Sequence, residues 1–318
     1  MSELAEYNAG GRVHDHFEER KKLIAKHKWE VSMSEVWFIT GSASGLGRSI
    51  AETVLASGDR LVATARDPSR LEDLVKEYGD QVRAAPLDVA DEEAAFAAVA
   101  VALDKFGRLD VVVNNAGYGD IAPFEQLSSN RFKAVMDTNF YGVVNVTRAA
   151  LPIMRKQKSG CILQISSVGG RLALAGSTAY HAAKWAVGGF TESLAQEVAP
   201  FGVKVCALEP GGMRTNWGTR AHQDLPELWP DYEPSVGAVV TMLKPLWGQE
   251  NGDPRKVAQV IVRLAKSDRL PAHLLLGSDA LQYAAQAEAA RAADAERWRG
   301  ISVAIDVNAS VSLPPLPV

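Results

Sequence analysis

A tyrosine and a lysine stand four residues apart in Tyr180-His181-Ala182-Ala183-Lys184, inside a run of helical periodicity. That spacing puts both side chains on one helix face, one turn apart. A free phenol ionises near pH ~10, too high for proton exchange at neutrality. A fixed ammonium beside it favours phenolate, so Lys184 is expected to lower the pKa of Tyr180 and fit it for acid/base work. Many helices carry such a pair by chance, and its meaning depends on the elements upstream that would position it.

The first of those elements is a glycine turn. Val36-Trp37-Phe38-Ile39-Thr40 is an apolar run of strand type. Gly41-Ser42-Ala43-Ser44-Gly45-Leu46-Gly47 follows it, and Arg48 to Ala56 has helical periodicity. Strand, glycine turn and helix form the context of a dinucleotide site, with backbone N–H groups at the helix start facing a pyrophosphate. The spacing is G-x-x-x-G-x-G, so the generic G-x-G-x-x-G fingerprint is not met literally. Leu61 to Ala65 reads as the second strand, and at its end Ala65-Arg66-Asp67 replaces the acid that would hold a ribose 2′-hydroxyl. A guanidinium there suits a 2′-phosphate, which favours NADP(H) over NAD(H). The alternative leaves Arg66 as a solvated loop charge and Asp67 as the cap of the next helix.

Further segments fall into order behind these. Leu87-Asp88-Val89 closes a third strand, and Val111-Val112-Val113-Asn114-Asn115-Ala116-Gly117 runs into a polar turn. Asn139 lies in Asp137-Thr138-Asn139-Phe140-Tyr141-Gly142, and Ser167, thirteen residues before Tyr180, ends Ile162-Leu163-Gln164-Ile165-Ser166-Ser167. Together with the glycine turn, this set resembles the short-chain dehydrogenase/reductase family in its single-domain form, from Val36 to Gly277. The resemblance implies an α/β fold: a doubly wound Rossmann-type parallel sheet of about seven strands with helices on both faces. It also implies a catalytic set of Asn139, Ser167, Tyr180 and Lys184. Tyr180 would be the acid/base, and Lys184 would tune it and hold the nicotinamide ribose. Ser167 would hold the substrate oxygen, and Asn139 a water linking Lys184 to solvent. The implied cofactor contacts are Gly41, Ser44, Gly45, Leu46, Gly47, Arg66, Asp88, Val89, Asn115, Ala116, Gly117, Tyr180, Lys184, Pro210, Gly211 and Thr215, with Asn114 steadying the sheet beside them. The stretch from Gly211 through Ser278-Asp279-Ala280 resembles the hydroxysteroid-dehydrogenase-like branch, which does not establish a steroid substrate.

The chemistry such a set performs is hydride transfer between nicotinamide and a ketone or secondary alcohol, with proton transfer at the oxygen. A non-catalytic NADP(H)-binding sensor on the same fold is the alternative, although sensors commonly lose the tyrosine or lysine. Extended relatives that act as epimerases or dehydratases favour a G-x-x-G-x-x-G turn, which this chain lacks.

At 318 residues, with 47% of them hydrophobic, the chain can bury a sizeable core. One domain is expected over residues 35–300, with a lid at 213–251, an N-terminal extension at 1–34 and a tail at 301–318. A formal net charge of −4 argues against a general nucleic-acid binder. Cys161 and Cys206 read as buried, reduced core residues, no Cys/His cluster suggests a metal, and none of the six histidines is assigned catalysis. No run is long and apolar enough for a membrane and the start lacks a secretory h-region, so a cytoplasmic protein is expected. Two readings of the N-terminal stretch stand: Met33 as the native start, or an arm touching a neighbouring subunit.

The lid is rich in large apolar groups, among them Trp217, Leu225, Leu228, Trp229, Tyr232, Met242, Leu243, Leu246 and Trp247. Tyr118–Glu125 and Val168–Gly176 should line the other sides of a pocket, because both follow strand ends. Arg171, Arg214, Asp120 and Glu125 are the only charges singled out there, so an uncharged, fairly hydrophobic substrate is expected. Long helices are expected over Asn130–Arg155 and Ala179–Val198, and relatives often form homo-oligomers through this pair. Asp253-Pro254 opens a helix to Ala265, Leu274 to Gly277 reads as a last strand, and Ser278 to Arg299 as an alanine-rich helix.

Overall fold

Four residues, Val36-Trp37-Phe38-Ile39, show how the molecule is layered. All four are fully buried, yet they alternate between two cores: Val36 and Phe38 pack on one side of the sheet, Trp37 and Ile39 on the other. A strand covered on both faces is what a parallel sheet with helices on each side demands. The computed structural model describes residues 34–216, 225–307 and 313–316. The readings of the N-terminal stretch and of Trp217, and part of the tail, lie outside the described residues.

The strands are β1 (Val36–Ile39), β2 (Arg60–Ala65), β3 (Val82–Pro86), β4 (Val111–Asn114), β5 (Gly160–Ile165), β6 (Val203–Pro210) and β7 (His273–Leu276). They form one seven-stranded sheet in the order β3-β2-β1-β4-β5-β6-β7. Every pairing in it is parallel. The order reverses between β1 and β4, so a crevice opens at their carboxyl ends.

The principal helices are α1 (Gly45–Ala56), α2 (Glu72–Tyr78), α3 (Glu92–Phe106), α4 (Ser129–Met136), α5 (Gly142–Gln157), α6 (Thr178–Val198), α7 (Ala238–Leu243), α8 (Pro254–Ala265), α9 (Ser278–Arg297) and α10 (Arg299–Ala304). Leu46, Ile50 and Val54 of α1 and Ala258, Ile261 and Ala265 of α8 cover the Trp37 face. Ala95 and Val99 of α3, Val146 and Met154 of α5, and Leu194 and Val198 of α6 cover the Phe38 face. Local chemistry sets the boundaries. Asp91 accepts from the Ala94 N–H at 3.0 Å, Ser128 from Arg131 at 3.2 Å, and Asp253 from Arg255 at 2.8 Å.

One element departs from the sequence expectation. The helix expected over Asn130–Arg155 is interrupted: Asp137–Tyr141 form a single π turn between α4 and α5. Asn139 sits in it, fully buried, with its Nδ2 donating to the Val135 and Tyr118 carbonyls at 2.9 and 2.7 Å. The amide competes for the backbone of the preceding turn, and the wider turn absorbs the mismatch.

At the amino edge of the sheet, Glu35 is crowded. Its N–H donates to Asp59 at 3.0 Å, and the Val36 N–H donates to Asp110 at 2.9 Å. Burial first, and then the charge of Asp59, hold the Glu35 carboxyl above its ordinary range; Lys266 opposes them, and Asp110 and Lys204 add smaller effects of opposite sign. A carboxyl whose folded pKa is raised binds its proton more tightly in the folded state. It therefore destabilises the protein above that pKa and ceases to do so below the unfolded value. Glu35→Gln should accordingly raise Tm at pH 7, and calorimetry should show the gain shrinking as pH falls through the carboxylate range.

Candidate functional site

The turn after β1 is built to leave backbone donors free. Gly41 and Gly45 adopt φ of +69° and +58°, the left-handed region that side chains avoid. A Cβ on Gly47 would collide with the Gly41 carbonyl and with Asn115 Nδ2, so glycine alone lets α1 start this close to β1. Ser44 is the N-cap of α1 but makes no side-chain cap, and the first turn holds no acid. Among the described residues, neither Ser44 nor an acid of the first turn caps the opening N–H groups of α1, and the macrodipole favours an anion there. Leu46 turns its side chain into the core and contributes backbone only. This cradle fits the diphosphate of a dinucleotide.

The neighbouring strand ends complete the crevice. Arg66 is exposed directly after β2, and Asp67 caps the turn that follows, accepting from the Ser69 N–H at 3.1 Å. Asp67 therefore has the capping role of the bland alternative, while Arg66 has no ion-pair partner among the described residues. Asp88 is exposed after β3 with Oδ1 accepting from the Ala90 N–H at 3.0 Å, whereas Val89 is buried and its carbonyl accepts from Asn145 at 3.0 Å. After β4, the N–H groups of Asn115 and Ala116 both donate to Thr40 Oγ1, at 2.8 and 2.9 Å. Asn115 Nδ2 donates to the Thr40 carbonyl at 2.9 Å. The glycine turn is thereby sewn to the β4 turn. Asn114 donates to Gln164 at 2.7 Å and Thr147 at 3.1 Å, a buried polar knot beneath the site.

Ser167 follows β5, and α6 brings Tyr180 and Lys184 to it. Lys184 is buried and its Nζ donates to the Ile165 carbonyl at 2.8 Å. Its ammonium lies 5.7 Å from the Tyr180 ring centroid. Tyr180 is half-buried and hydrogen-bonded with Ser167, whose Oγ also accepts from the Gly169 N–H at 3.0 Å. Gly117 borders both Asn139 Oδ1 and Lys184 Nζ: a Cβ placed there would lie 2.6 Å from the first and 3.6 Å from the second. Asn139 Oδ1 is buried with no hydrogen-bond partner among the described residues. All four residues of the expected set are therefore gathered in one place.

The electrostatics differ from the expectation. Lys184 was expected to lower the Tyr180 pKa, but burial raises the phenol, opposed only by the hydrogen bond with Ser167. Burial also pushes Lys184 down, to about 8. Desolvation disfavours both charged forms. At neutral pH the pair is phenol and ammonium.

Pro210 ends β6, and the Gly211 N–H donates to the Leu276 carbonyl at 3.0 Å. Asp279, at the start of α9, accepts from the Gly212 N–H at 2.8 Å and packs so tightly on Gly211 that a Cβ there would collide with its carboxylate. Thr215 then reaches back toward the glycine turn: a Cβ on Gly45 would lie 3.7 Å from Thr215 Cβ.

The pocket walls expected from sequence also meet. Ile121 and Val236 form a small buried cluster joined by Leu225, Leu228, Tyr232, Val240, Leu243 and Trp247. Gly176, at φ +86°, lies beneath it, and the Ala122 N–H donates to its carbonyl at 2.8 Å. The four charges singled out are engaged internally. Arg171 pairs with buried Glu209 at 3.0 Å, Asp120 with Arg131 at 2.6 Å, Glu125 with the Tyr232 hydroxyl at 2.5 Å, and Arg214 donates to the Glu250 carbonyl at 3.1 Å. Sequence reasoning missed Thr40, Thr147, Gln164 and Glu209. Thr40 and Glu209 stand next to quoted motifs, the one signal available for them, whereas Thr147 and Gln164 acquire meaning only through contact with Asn114.

Comparison with known proteins agrees with this frame. Residues 35–226 match the model of the short chain dehydrogenase family, and the chain belongs to that family of oxidoreductases. It is 45% identical to Oxidoreductase BOA17 of Botryotinia fuckeliana over 86% of this chain and 99% of the relative. It is 35% identical to a 3-ketodihydrosphingosine reductase of Bacteroides thetaiotaomicron, covering 76% of this chain and 88% of that one. Among solved structures, a short-chain dehydrogenase from Streptomyces avermitilis superposes with a TM-score of 0.79 at 37% identity, over 86% of this chain and all of that one. ElxO, solved with NADP bound, gives 0.66 at 28% identity over 79% of this chain and 100% of that one. A 3-ketoacyl-(acyl-carrier-protein) reductase from Brucella melitensis, complexed with NADH, gives 0.64 at 26% over 77% and 97%.

Because Gly47 is hemmed in by backbone, Gly47→Ala should lower stability by ~1–3 kcal/mol, the usual scale of overpacking. Thermal melts should show a lower Tm, and NADPH fluorescence titration should show loss of cofactor binding.

Proposed function

We propose that the protein is an NADP(H)-dependent oxidoreductase that interconverts a ketone and a secondary alcohol on an uncharged, fairly hydrophobic small molecule, in the cytoplasm. Residues 35–300 are the working domain and 213–251 its lid. The observation that carries the reading is the meeting of Asn139, Ser167, Tyr180 and Lys184 at the carboxyl end of the sheet, beside a glycine cradle.

A nicotinamide cofactor whose diphosphate lay in that cradle would supply or accept the hydride. The protein's own groups do the rest. The Tyr180 phenol, kept protonated by burial, gives its proton to the substrate oxygen during reduction and takes it back during oxidation. Ser167 donates to the same oxygen and stabilises the charge that develops on it. Lys184 would hold the nicotinamide ribose, and its ammonium would restore the proton of Tyr180. Asn139 Oδ1, beside Gly117 as Lys184 Nζ is, would hold a water that links the ammonium to solvent. The α1 cradle would hold the diphosphate, Asp88 and Val89 would contact the adenine, and Pro210, Gly211 and Thr215 the carboxamide.

Arg66, exposed and without a described ion-pair partner after β2, supports a 2′-phosphate and hence NADP(H). The apolar cluster between lid and strand ends, with nearby charges paired among themselves, supports a neutral hydrophobic substrate. Similarity to a relative described as a 3-ketodihydrosphingosine reductase supports a ketone on an apolar chain. A sensor that binds NADP(H) without turnover is the other reading, and the intact four-residue set weighs against it.

Nicotinamide absorbance tests the proposal, with NADPH and NADH run separately against apolar ketones. Turnover is expected with NADPH, and Tyr180→Phe should lower kcat about 10²–10⁴-fold. Cofactor binding without turnover across a broad panel in both directions would favour the sensor. Arg66→Ala should raise the NADPH KM about tenfold, as loss of a charge-assisted contact does, and leave that of NADH unchanged. The pH profile follows from Lys184. Its ammonium is lost above about 8, while the phenol stays protonated there. The kcat/KM for reduction should therefore fall above about pH 8, and Lys184→Arg, in whatever activity it retains, should lack that limb.

A further inference from the structure

His181 lies beside Tyr180 in the first turn of α6, buried, and the reaction described above makes no use of it. Both ring nitrogens meet the backbone of the loop between β5 and α6. Nδ1 is 2.8 Å from the Gly169 carbonyl oxygen, and Nε2 is 3.1 Å from the Leu174 nitrogen. These partners decide where the proton sits. A carbonyl only accepts and a peptide N–H only donates, so Nδ1 carries the hydrogen and Nε2 accepts. The neutral Nδ1–H tautomer alone satisfies both. Burial favours the neutral ring as well, pushing His181 below the usual histidine range against the pull of the Gly169 carbonyl.

Gly169 passes this constraint to Ser167. Its carbonyl is held by His181, and its N–H donates to Ser167 Oγ at 3.0 Å. A Cβ on Gly169 would lie 2.9 Å from His181 Nδ1 and 3.3 Å from Ser167 Oγ, so ring, glycine and hydroxyl are stacked in contact. With one Oγ lone pair taken by the Gly169 N–H, the serine's own proton is directed away from the loop. Ser167 is hydrogen-bonded with the Tyr180 phenol, whose ring packs edge-on against His181 with centroids 5.9 Å apart. A misaimed donor at a reacting oxygen loses much of its value, because such stabilisation depends on prior orientation.

We infer that His181 is a positioning residue, its Nδ1–H tautomer clamping residues 169–174 and, through Gly169, aiming the Ser167 hydroxyl proton at the reacting oxygen. The inference rests on the oxidoreductase reading of Ser167 and Tyr180. It extends that reading to a residue whose side chain is not asked to touch substrate or cofactor.

The test joins spectroscopy, which needs no turnover, to kinetics. In full-length protein labelled with ¹⁵N-histidine, the ring nitrogens of His181 should report the Nδ1–H tautomer. The Gly169 and Leu174 amides should be protected from hydrogen exchange, and should exchange faster in His181→Phe, which keeps a ring but neither hydrogen bond. With NADPH and the ketone that the wild type reduces fastest, His181→Phe should lose about 10- to 100-fold in kcat, the scale of a misplaced reacting geometry. Its NADPH affinity, read by fluorescence titration, should stay at the wild-type value. His181→Asn, which returns a donor to the Gly169 carbonyl, should recover most of kcat. This variant decides the matter if His181→Phe does not fold. An Nε2–H tautomer, unchanged amide exchange and kcat in His181→Phe, or a His181→Asn as impaired as His181→Phe would each overturn the inference. A wild type with the expected tautomer and protected amides that reduces no ketone would overturn the catalytic role, and would place the failure in the oxidoreductase reading.

Discussion

The buried ammonium of Lys184 is the constraint around which the rest of the site is arranged. A charge removed from water is destabilising unless oxygen atoms surround it. Here the Ile165 carbonyl, at the very end of β5, accepts from it. That contact fixes the height of α6 along the sheet. Once α6 is fixed, Tyr180 one turn earlier must lie over the residues that follow β5, and Ser167 is where the chain first turns there. The β4 turn must then come close with a residue lacking a side chain. Gly117 is that residue, packed against Asn139 Oδ1 and near the Lys184 ammonium. Asn139 in turn forces the π turn between α4 and α5. One lysine thus links two strand ends and three helices.

The same desolvation that makes this arrangement demanding also sets its proton inventory. Phenol and ammonium are driven apart in pKa rather than toward each other. In the free protein, burial favours the phenol of Tyr180 over the phenolate. The surroundings keep the low dielectric that such chemistry needs. Arg171 and Asp120 are ion-paired within the protein, and Glu125 accepts a hydrogen bond from the Tyr232 hydroxyl.

Much of this was legible in the sequence wherever the signal is local. The apolar strand runs, the glycine turn, the Tyr180–Lys184 spacing and Asp253-Pro254 all act over a few residues, and the elements they specify stand where the pattern puts them. The π turn was not legible, because an asparagine that bonds both the Val135 carbonyl of its own preceding turn and the distant Tyr118 carbonyl looks in sequence like any polar helix residue. The knot of Asn114, Thr147 and Gln164 escaped for the same reason: the residues come from three elements and no spacing relates them. The direction of the Tyr180 shift was misjudged because sequence displays the neighbouring charge and hides the burial. That the charges singled out beside the pocket are engaged within the protein was not legible, because partners such as Glu209 and Arg131 are remote along the chain or carry no motif.

The small cluster around Ile121 and Val236 has a consequence for how such a protein changes over generations. Ile121 and Val236 gather their neighbours into a cluster separate from the two that clamp the sheet. A segment with its own small core can loosen, or be rewritten, at a fraction of the free energy that holds the whole fold. Substitutions among Leu228, Tyr232, Val240 and Leu243 disturb that small cluster and leave the two sheet cores untouched, while a side chain at Gly47 would strike the Gly41 backbone. Sequence change therefore costs the fold least in this outer segment and most at the glycine turn.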